Sequence, residues 1–356
     1  MERSVAQERL LLLACLSVLL VLAVFDATST QRTLSGTYGL APVLAAALLR
    51  TRLVLTCGVA AVVTSALSFL WNGNLGLDWG VRLVIVVALS VTAVVIATSR
   101  ERRESRLSRI TLIAEAAQRA LLRAMPAAVG PVGFAARYVS ATEEARIGGD
   151  LYEVVSTPFG TRAIVGDVRG KGLEAVQLAA TVLGAFRRAA YSVEDLAGLA
   201  RELDVVVTAV AEVEDFVTAV LVQFGDDSSL EVVNVGHLPP ILIGGGSRDT
   251  ATVLDTGDPV PPLGLHPDPV AVTRAWAPGM RLLLYTDGTT EGRDRKGQFF
   301  ELTSAASTLG SGTLDEALDR LIAALTVHVG HALTDDVALV LAENNGGSAP
   351  ARGPRS

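Results

Sequence analysis

The chain has 356 residues, half of them hydrophobic, with a formal net charge of −7 and only two cysteines. The acidic balance leaves no basic footprint for nucleic acid. Two cysteines exclude a disulfide scaffold and a cysteine-rich zinc site.

The mean hydropathy of +0.44 is high for a soluble protein, and the excess lies at the front. Residues 10–25, 38–49, 53–71 and 81–98 are apolar runs with few or no internal charges. Each is near the roughly 20 residues that cross a bilayer as a helix, the second being the shortest. A cleaved signal peptide accounts for one such run, not four. Arg3 and Arg9 precede the first run, and Arg50 and Arg52 lie between the second and third. Arg100, Arg102, Arg103, Arg106 and Arg109 follow the fourth. The remaining connections carry Asp26 with Arg32, and Asp78 with Arg82. The positive-inside rule then predicts a bundle of about four spans over residues 1–99 in a cell membrane, multi-pass, with both ends in the cytoplasm. A partly re-entrant second span stays open. Few ionisable residues lie within the runs, which argues against an ion pathway. Both cysteines, Cys15 and Cys57, fall inside runs, so the rest of the chain has no thiol nucleophile.

Residues 100–126 begin with the arginine cluster, a stop signal suited to anionic lipid headgroups. Leu107, Ile110, Ile113, Ala114, Ala117 and Leu121 then recur at helical spacing. A linker helix is expected, either a passive stalk or a signalling helix through which two copies pair as a homodimer. Residues 127–343 alternate strands and helices. Strands are predicted at 132–139, 150–155, 161–167, 215–224, 230–235, 239–243, 281–286 and 336–342, and helices at 172–191, 193–212 and 313–329. Strands outnumber helices and join by short turns such as Gly225-Asp226-Asp227 and Gly244-Gly245-Gly246. That pattern favours an α+β domain of antiparallel sheets layered with helices. Residues 344–356 have a disordered composition.

Within "RIGGDLYEVVSTPFGTRAIVGDVRGKG" (146–172) two strand-like stretches flank Ser156–Gly160. A turn centred between Pro158 and Phe159 places Asp150 opposite Asp167. Opposed hairpin residues have Cβ atoms roughly 4.5–5.5 Å apart. Two carboxylates at that distance need a shared proton or a cation between them. Asp287 ends the strand of "RLLLYTDGTTEG", and Asp335-Asp336 begins that of "TDDVALVLA". Acidic side chains at four strand ends can converge into an all-oxygen site suited to Mg²⁺ or Mn²⁺. Two such ions can activate water for in-line attack on phosphorus. His237 in "NVGHLPP" is read as either a general acid or a structural residue between a strand and a proline turn. Gly244-Gly245-Gly246 lacks the Lys-Ser/Thr of a phosphate loop.

The ordered series "RIGGDLYEV", "GDVRGKGLEA", "FVTAVLV", "NVGHLPPIL", "LLLYTDGTTEGRD" and "TDDVALVLA" resembles the SpoIIE-like bacterial branch of the protein phosphatase 2C family, over roughly 110–342. The resemblance implies a four-layer αββα sandwich after the membrane bundle. It implies two Mn²⁺ or Mg²⁺ ions, and serine/threonine phosphatase activity without a phosphoenzyme. By position, Asp167 resembles the aspartate bridging both metals, with the Val168 carbonyl beside it. Asp150 resembles the residue serving one metal, partly through water, and Asp287 and Asp335 the pair serving the other. Asp336 adjoins Asp335, and the sequence alone does not choose between them. The family often has Asp where this chain has Glu153. Arg169 and Lys171 stand at positions that are usually small or carry a single basic or His residue; they are read as substrate-phosphate ligands, as charges that favour ionised carboxylates, or as exposed loop charges. The implied substrate is a phosphorylated protein in bacterial signalling, of the anti-sigma-factor-antagonist kind. A catalytically weak membrane-tethered scaffold on the same fold is the alternative.

Overall fold

The computed structural model describes residues 5–28, 35–72, 76–140, 148–212, 214–225, 228–244, 250–331, 333 and 335–346. The chain divides into two compact units, Met1–Arg109 and Ile110–Ser356.

In the first unit, α1 runs Val5–Thr28, a 3-10 turn Ser35–Gly39 leads into α2 at Leu40–Leu48, α3 is Thr51–Leu67, α4 is Phe69–Asn72, and α5 begins at Leu77. Among the described residues three helical segments are long and apolar enough to cross a membrane: Ala6–Thr28, Thr51–Trp71 and Leu77–Arg106. Apolar residues such as Leu20, Val21, Leu55, Val59, Val84 and Val91 stand exposed along them, as lipid-facing residues do. The run expected as a second full span is a shorter helix, Gly36–Leu48. Thirteen residues at 1.5 Å each reach about 20 Å against a hydrocarbon core of about 30 Å.

Polar ties nonetheless mark two ends of this unit. At one end Glu8 pairs with Arg50 at 2.9 Å. There Glu101 accepts from the backbone N–H and hydroxyl of Thr51 (2.7 and 2.8 Å), and Arg100 donates to the carbonyls of Ala46 (2.9 Å) and Leu49 (2.7 Å). A carboxylate thus faces the N-terminus of α3 and a guanidinium the C-terminus of α2, each complementing the helix dipole. At the other end Asp26 is buried and accepts from Tyr38 Oη at 2.8 Å and Trp71 Nε1 at 3.2 Å. The chain therefore passes between the two ends four times, although one leg is short.

Helix α5 continues to Leu121, so the fourth span and the linker are one element. The side chains of Leu107, Ile110, Ile113, Ala114 and Ala117 in the expected stripe lie outside the described residues. Leu121 packs on the core beneath α6 and α7, introduced below.

Among its described residues the second unit has eleven strands: β1 Ala128–Val129, β2 Val132–Val139, β3 Leu151–Thr157, β4 Gly160–Val168, β5 Val217–Phe224, β6 Ser229–Val235, β7 Ile241–Ile243, β8 Ala251–Val253, β9 Val272–Ala275, β10 Arg281–Tyr285 and β11 Val337–Asn344. Its remaining helices are α6 Leu173–Ala189, α7 Leu196–Val210, α8 Leu302–Ala306 and α9 Leu314–Val329. Two antiparallel sheets form, ordered β1-β2-β11-β10-β7-β8 and β3-β4-β5-β6-β9. Asn344, expected to open the disordered tail, instead completes β11; residues 347–356 lie outside the described ones.

The central strands are apolar on both faces, and their period of two assigns each residue to a layer. From β4, Ala163 and Val165 join Leu282 and Leu284 of β10 and Val340 of β11 between the sheets. Ile164, one residue out of phase, packs instead with Val182, Phe186, Leu199 and Leu203 of α6 and α7. Leu283 and Leu339 face the other way, onto Leu318, Leu321 and Leu325 of α9. The result is a four-layer αββα sandwich. Buried Arg162 holds the helix layer to β4 by donating to the carbonyls of Ala190 (2.9 Å), Val193 (2.5 Å) and Glu194. Helix α9 starts with a full capping box between Thr313 and Glu316.

Candidate active site

The β3–β4 register runs from Leu151↔Gly166 to Thr157↔Gly160. The turn is closed by Thr157, whose hydroxyl donates to the Gly160 carbonyl at 2.7 Å and accepts from Phe159 N–H at 3.2 Å. One step beyond the other end of this ladder, Asp150 faces Asp167. Burial, then Asp167, then Asp336 and Asp287 push Asp150 well above the usual carboxylate range, against the Thr286 hydroxyl that donates to it at 2.9 Å. Asp167 is raised by burial, then by Asp287 and Asp335. Asp287, at the end of β10, is raised by burial, then by Asp335 and Glu291.

Four chain segments therefore bring Asp150, Asp167, Asp287 and Asp335 within each other's field. The backbone is drawn in with them. A Cβ at Gly149 would lie 2.5 Å from the Val168 carbonyl oxygen, and one at Gly288 would lie 2.0 Å from that of Asp336. The glycines of "GGD" and "TDG" thus permit strand ends to meet where side chains would hold them apart.

The two adjacent aspartates do different things. Asp336 is buried and accepts from Tyr138 Oη at 2.6 Å and Gly148 N–H at 2.7 Å. Asp335 is partly exposed and takes Lys171 Nζ on both oxygens, at 2.9 and 2.8 Å. Glu153 points away from Asp150, into a buried pair with Arg187 at the α6 side; the Arg187 Nε bond is 2.6 Å.

A cleft of about 460 Å³ opens over Asp167 and Asp287. Arg169, Phe216, Thr218, His237 and Glu291 line it. Arg169 is half-exposed; it donates to the Glu214 carbonyl at 2.6 Å and lies over the Phe216 ring, 5.4 Å from its centroid. His237 bridges Thr218 and the Tyr285 carbonyl, and burial pushes its ring down to about 4. Sequence reasoning singled out Asp150, Asp167, Asp287, Asp335 and Arg169. It missed Thr286, which donates to Asp150, Thr218, which stands opposite Asp167, and Tyr138, which donates to Asp336. Tyr138 had one visible signal, as a polar-tipped aromatic beside Arg137 at the end of a mostly apolar strand.

Among the described residues no three acidic, His or Cys side chains already point at one centre. The donor set nevertheless fits a hard divalent cation. It is all oxygen, and Mg²⁺ keeps several waters, so few carboxylates per ion suffice. A cation relieves the mutual repulsion that raises Asp150, Asp167 and Asp287.

The Lys171–Asp335 pair gives a first test. An ammonium on both oxygens of Asp335 competes with any cation there. The pair is partly exposed, so its worth is about 1 kcal/mol or less. Lys171→Met is expected to tighten Mn²⁺ binding up to about fivefold by calorimetry. Weaker binding in the variant would show that Lys171 assists the site.

Residues 157–345, more than half of the chain, match the family described as Stage II sporulation protein E (SpoIIE). Among solved structures, the SiaA-PP2C domain of Pseudomonas aeruginosa matches with a TM-score of 0.57 and 20% identity, over 69% of this chain and 99% of that one. The RsbU and RsbW domains of a Mycobacterium tuberculosis protein match with a TM-score of 0.52 and 23% identity, over 62% of each chain. This chain thus spans less than two thirds of the latter's length. The catalytic domain of the serine/threonine protein phosphatase PstP, a complex with two manganese ions, matches with a TM-score of 0.45 and 18% identity, over 60% of this chain and 97% of that one. No curated protein matches the chain. The first two likenesses speak for the fold, while the family match runs from the end of β3 through β11 and takes in Asp167, Asp287 and Asp335. The chain belongs to the Stage II sporulation protein E (SpoIIE) family.

Proposed function

We propose that this chain is a membrane-anchored, metal-dependent phosphatase that removes phosphate from phosphoserine or phosphothreonine on a cytoplasmic regulatory protein. The observation that carries this reading is the approach of Asp150, Asp167, Asp287 and Asp335 from separate strand ends, with Asp167 and Asp287 lining one cleft. Asp167 would serve both ions with the Val168 carbonyl beside it, Asp150 one ion, and Asp287 with Asp335 the other. Bound there, two Mn²⁺ or Mg²⁺ ions supply Lewis acidity to the phosphoryl oxygens and an activated water. Thr286 holds Asp150, and Tyr138 with Gly148 holds Asp336 beside Asp335, before substrate arrives. Arg169 on the cleft wall suits the substrate phosphate, for which a guanidinium offers paired donors. Neither free cysteine lies in the second unit; both are buried in the first. A thiol nucleophile is therefore unavailable to the cleft.

The membrane part supports a cytoplasmic substrate. The four legs return the chain to the end where Glu8, Arg50, Arg100 and Glu101 meet, and the arginines from 100 to 109 follow. Reporter fusions active only outside the cytoplasm are expected to work near residues 30 and 75 and to be silent after residue 105. A signal after 105 would place the cleft on the wrong side. A phosphorylated anti-sigma-factor antagonist is the kind of partner that SpoIIE-family membership suggests.

The test of function is phosphate release from phosphoserine peptides and from p-nitrophenyl phosphate by the full-length protein in detergent, with and without Mn²⁺. Mn²⁺-dependent turnover is expected. Its absence with both substrates would favour the scaffold reading.

A further inference from the structure

We propose that His237 is a positioning residue that braces the two sheets across the cleft floor and sets the relation of Asp167 to Asp287. The inference rests on the phosphatase reading above and assigns a role within that site.

The loop that presents the ring is locked. Asn234 accepts from His237 N–H at 2.8 Å and donates to the His237 carbonyl at 2.9 Å. Gly236 adopts φ +68°, and a Cβ there would lie 2.6 Å from Pro262. The imidazole is thus delivered from the end of β6 with little freedom. Its Nε2 is 3.1 Å from the Tyr285 carbonyl oxygen. A carbonyl only accepts, so Nε2 carries the proton. In the neutral ring Nδ1 then accepts, and Thr218 Oγ1 lies 2.9 Å away to donate.

The two anchors are not arbitrary. Thr218 on β5 stands directly opposite Asp167 on β4, and its alternative acceptor, the Asp167 carbonyl, is farther away at 3.3 Å. Tyr285 closes β10 in the other sheet, two residues before Asp287. One ring therefore links the strand facing Asp167 to the strand end bearing Asp287. With both nitrogens engaged within the protein, the ring has no proton free for a leaving group. The general-acid reading of His237 gives way to a bracing one.

The test uses the full-length protein in lipid nanodiscs. The chain has only four histidines, so selective ¹⁵N-histidine labelling can resolve this ring. A neutral Nε2–H tautomer is expected to persist from pH 6 to 8. His237→Ala is expected to weaken Mn²⁺ binding in calorimetry by about ten- to a hundredfold, the usual cost of losing a group that orients metal ligands. The shape of the kcat–pH profile is expected to stay as in the wild type. Thr218→Val, which removes one anchor and keeps the ring, is expected to weaken Mn²⁺ in the same direction. It also decides the matter if His237→Ala does not fold. Unchanged Mn²⁺ affinity in both variants would overturn the proposal. So would an Nδ1–H ring, or loss of the alkaline limb of the profile with His237. If the wild type binds Mn²⁺ but never turns over, the phosphatase reading fails while tautomer and affinity still judge the brace.

Discussion

Replacing Asp167 by Asn is expected to give a folded protein with at least about a thousandfold less turnover. Metal-held charge stabilisation is worth several kcal/mol in a transition state, and about 4 kcal/mol corresponds to three powers of ten. The stability of the metal-free protein is expected to move the other way. Asp150 and Asp167 are both raised above the ordinary carboxyl value by burial and by neighbouring carboxylates. A carboxyl raised in the folded state keeps its proton after the unfolded chain has lost it. Its presence therefore costs the fold stability as pH climbs from about 4 toward the folded value. Asn removes that cost. In chelator near pH 7.5 the variant should melt above the wild type. Saturating Mn²⁺ should reverse the order, since a ligand at a hundred times its Kd adds about 2.7 kcal/mol to the form that binds it. Thermal melts of both proteins, with chelator and with Mn²⁺, check this. A wild-type melting point indifferent to Mn²⁺ would count against the carboxylate cluster as a cation site.

Gly288→Ala is expected to damage activity as well, though less, without touching any charge. The added methyl would sit 2.0 Å from the Asp336 carbonyl oxygen, a contact with backbone that no rotamer change relieves. Overpacking of this kind costs about 1–3 kcal/mol. The yielding segment leads into β11 and carries Asp335. Turnover should fall by more than about tenfold, and Mn²⁺ affinity should fall with it, because a 1 Å misplacement in a site can cost about a hundredfold. Gly170→Ala offers a contrast. Nothing lies within 4 Å of a Cβ there, although φ of +113° strains any side chain. That change should lower stability with a smaller effect on metal affinity. Equal Mn²⁺ affinities for both variants would separate Gly288 from the site.

Much of this was legible in the sequence because it rests on short-range rules. The turn at Pro158-Phe159 fixed which residues oppose each other, and the register places Asp150 against Asp167 as counted. The long strands and the helices α6, α7 and α9 were visible from their apolar periodicity. The edge strands β1, β8 and β9 were not, since two to four residues carry no measurable alternation. Hydropathy counted a second full span where the helix is too short, because an apolar run does not reveal where its helix begins. Asp335 and Asp336 were indistinguishable in sequence. Their difference arises from Tyr138 and Gly148, residues far away in the chain that meet Asp336 only in the folded sheet. The roles of Thr286, Thr218 and His237 were hidden for the same reason. Each depends on a contact across strands or between sheets.

The most direct test is phosphate release from a phosphoserine-bearing protein by the full-length chain in nanodiscs, after exhaustive chelation and then during stepwise return of Mn²⁺. Release should be absent in chelator, rise with added metal and level off at two equivalents per chain. Release at an unchanged rate in chelator, with no metal bound, would contradict a cleft whose carboxylates act by holding two cations.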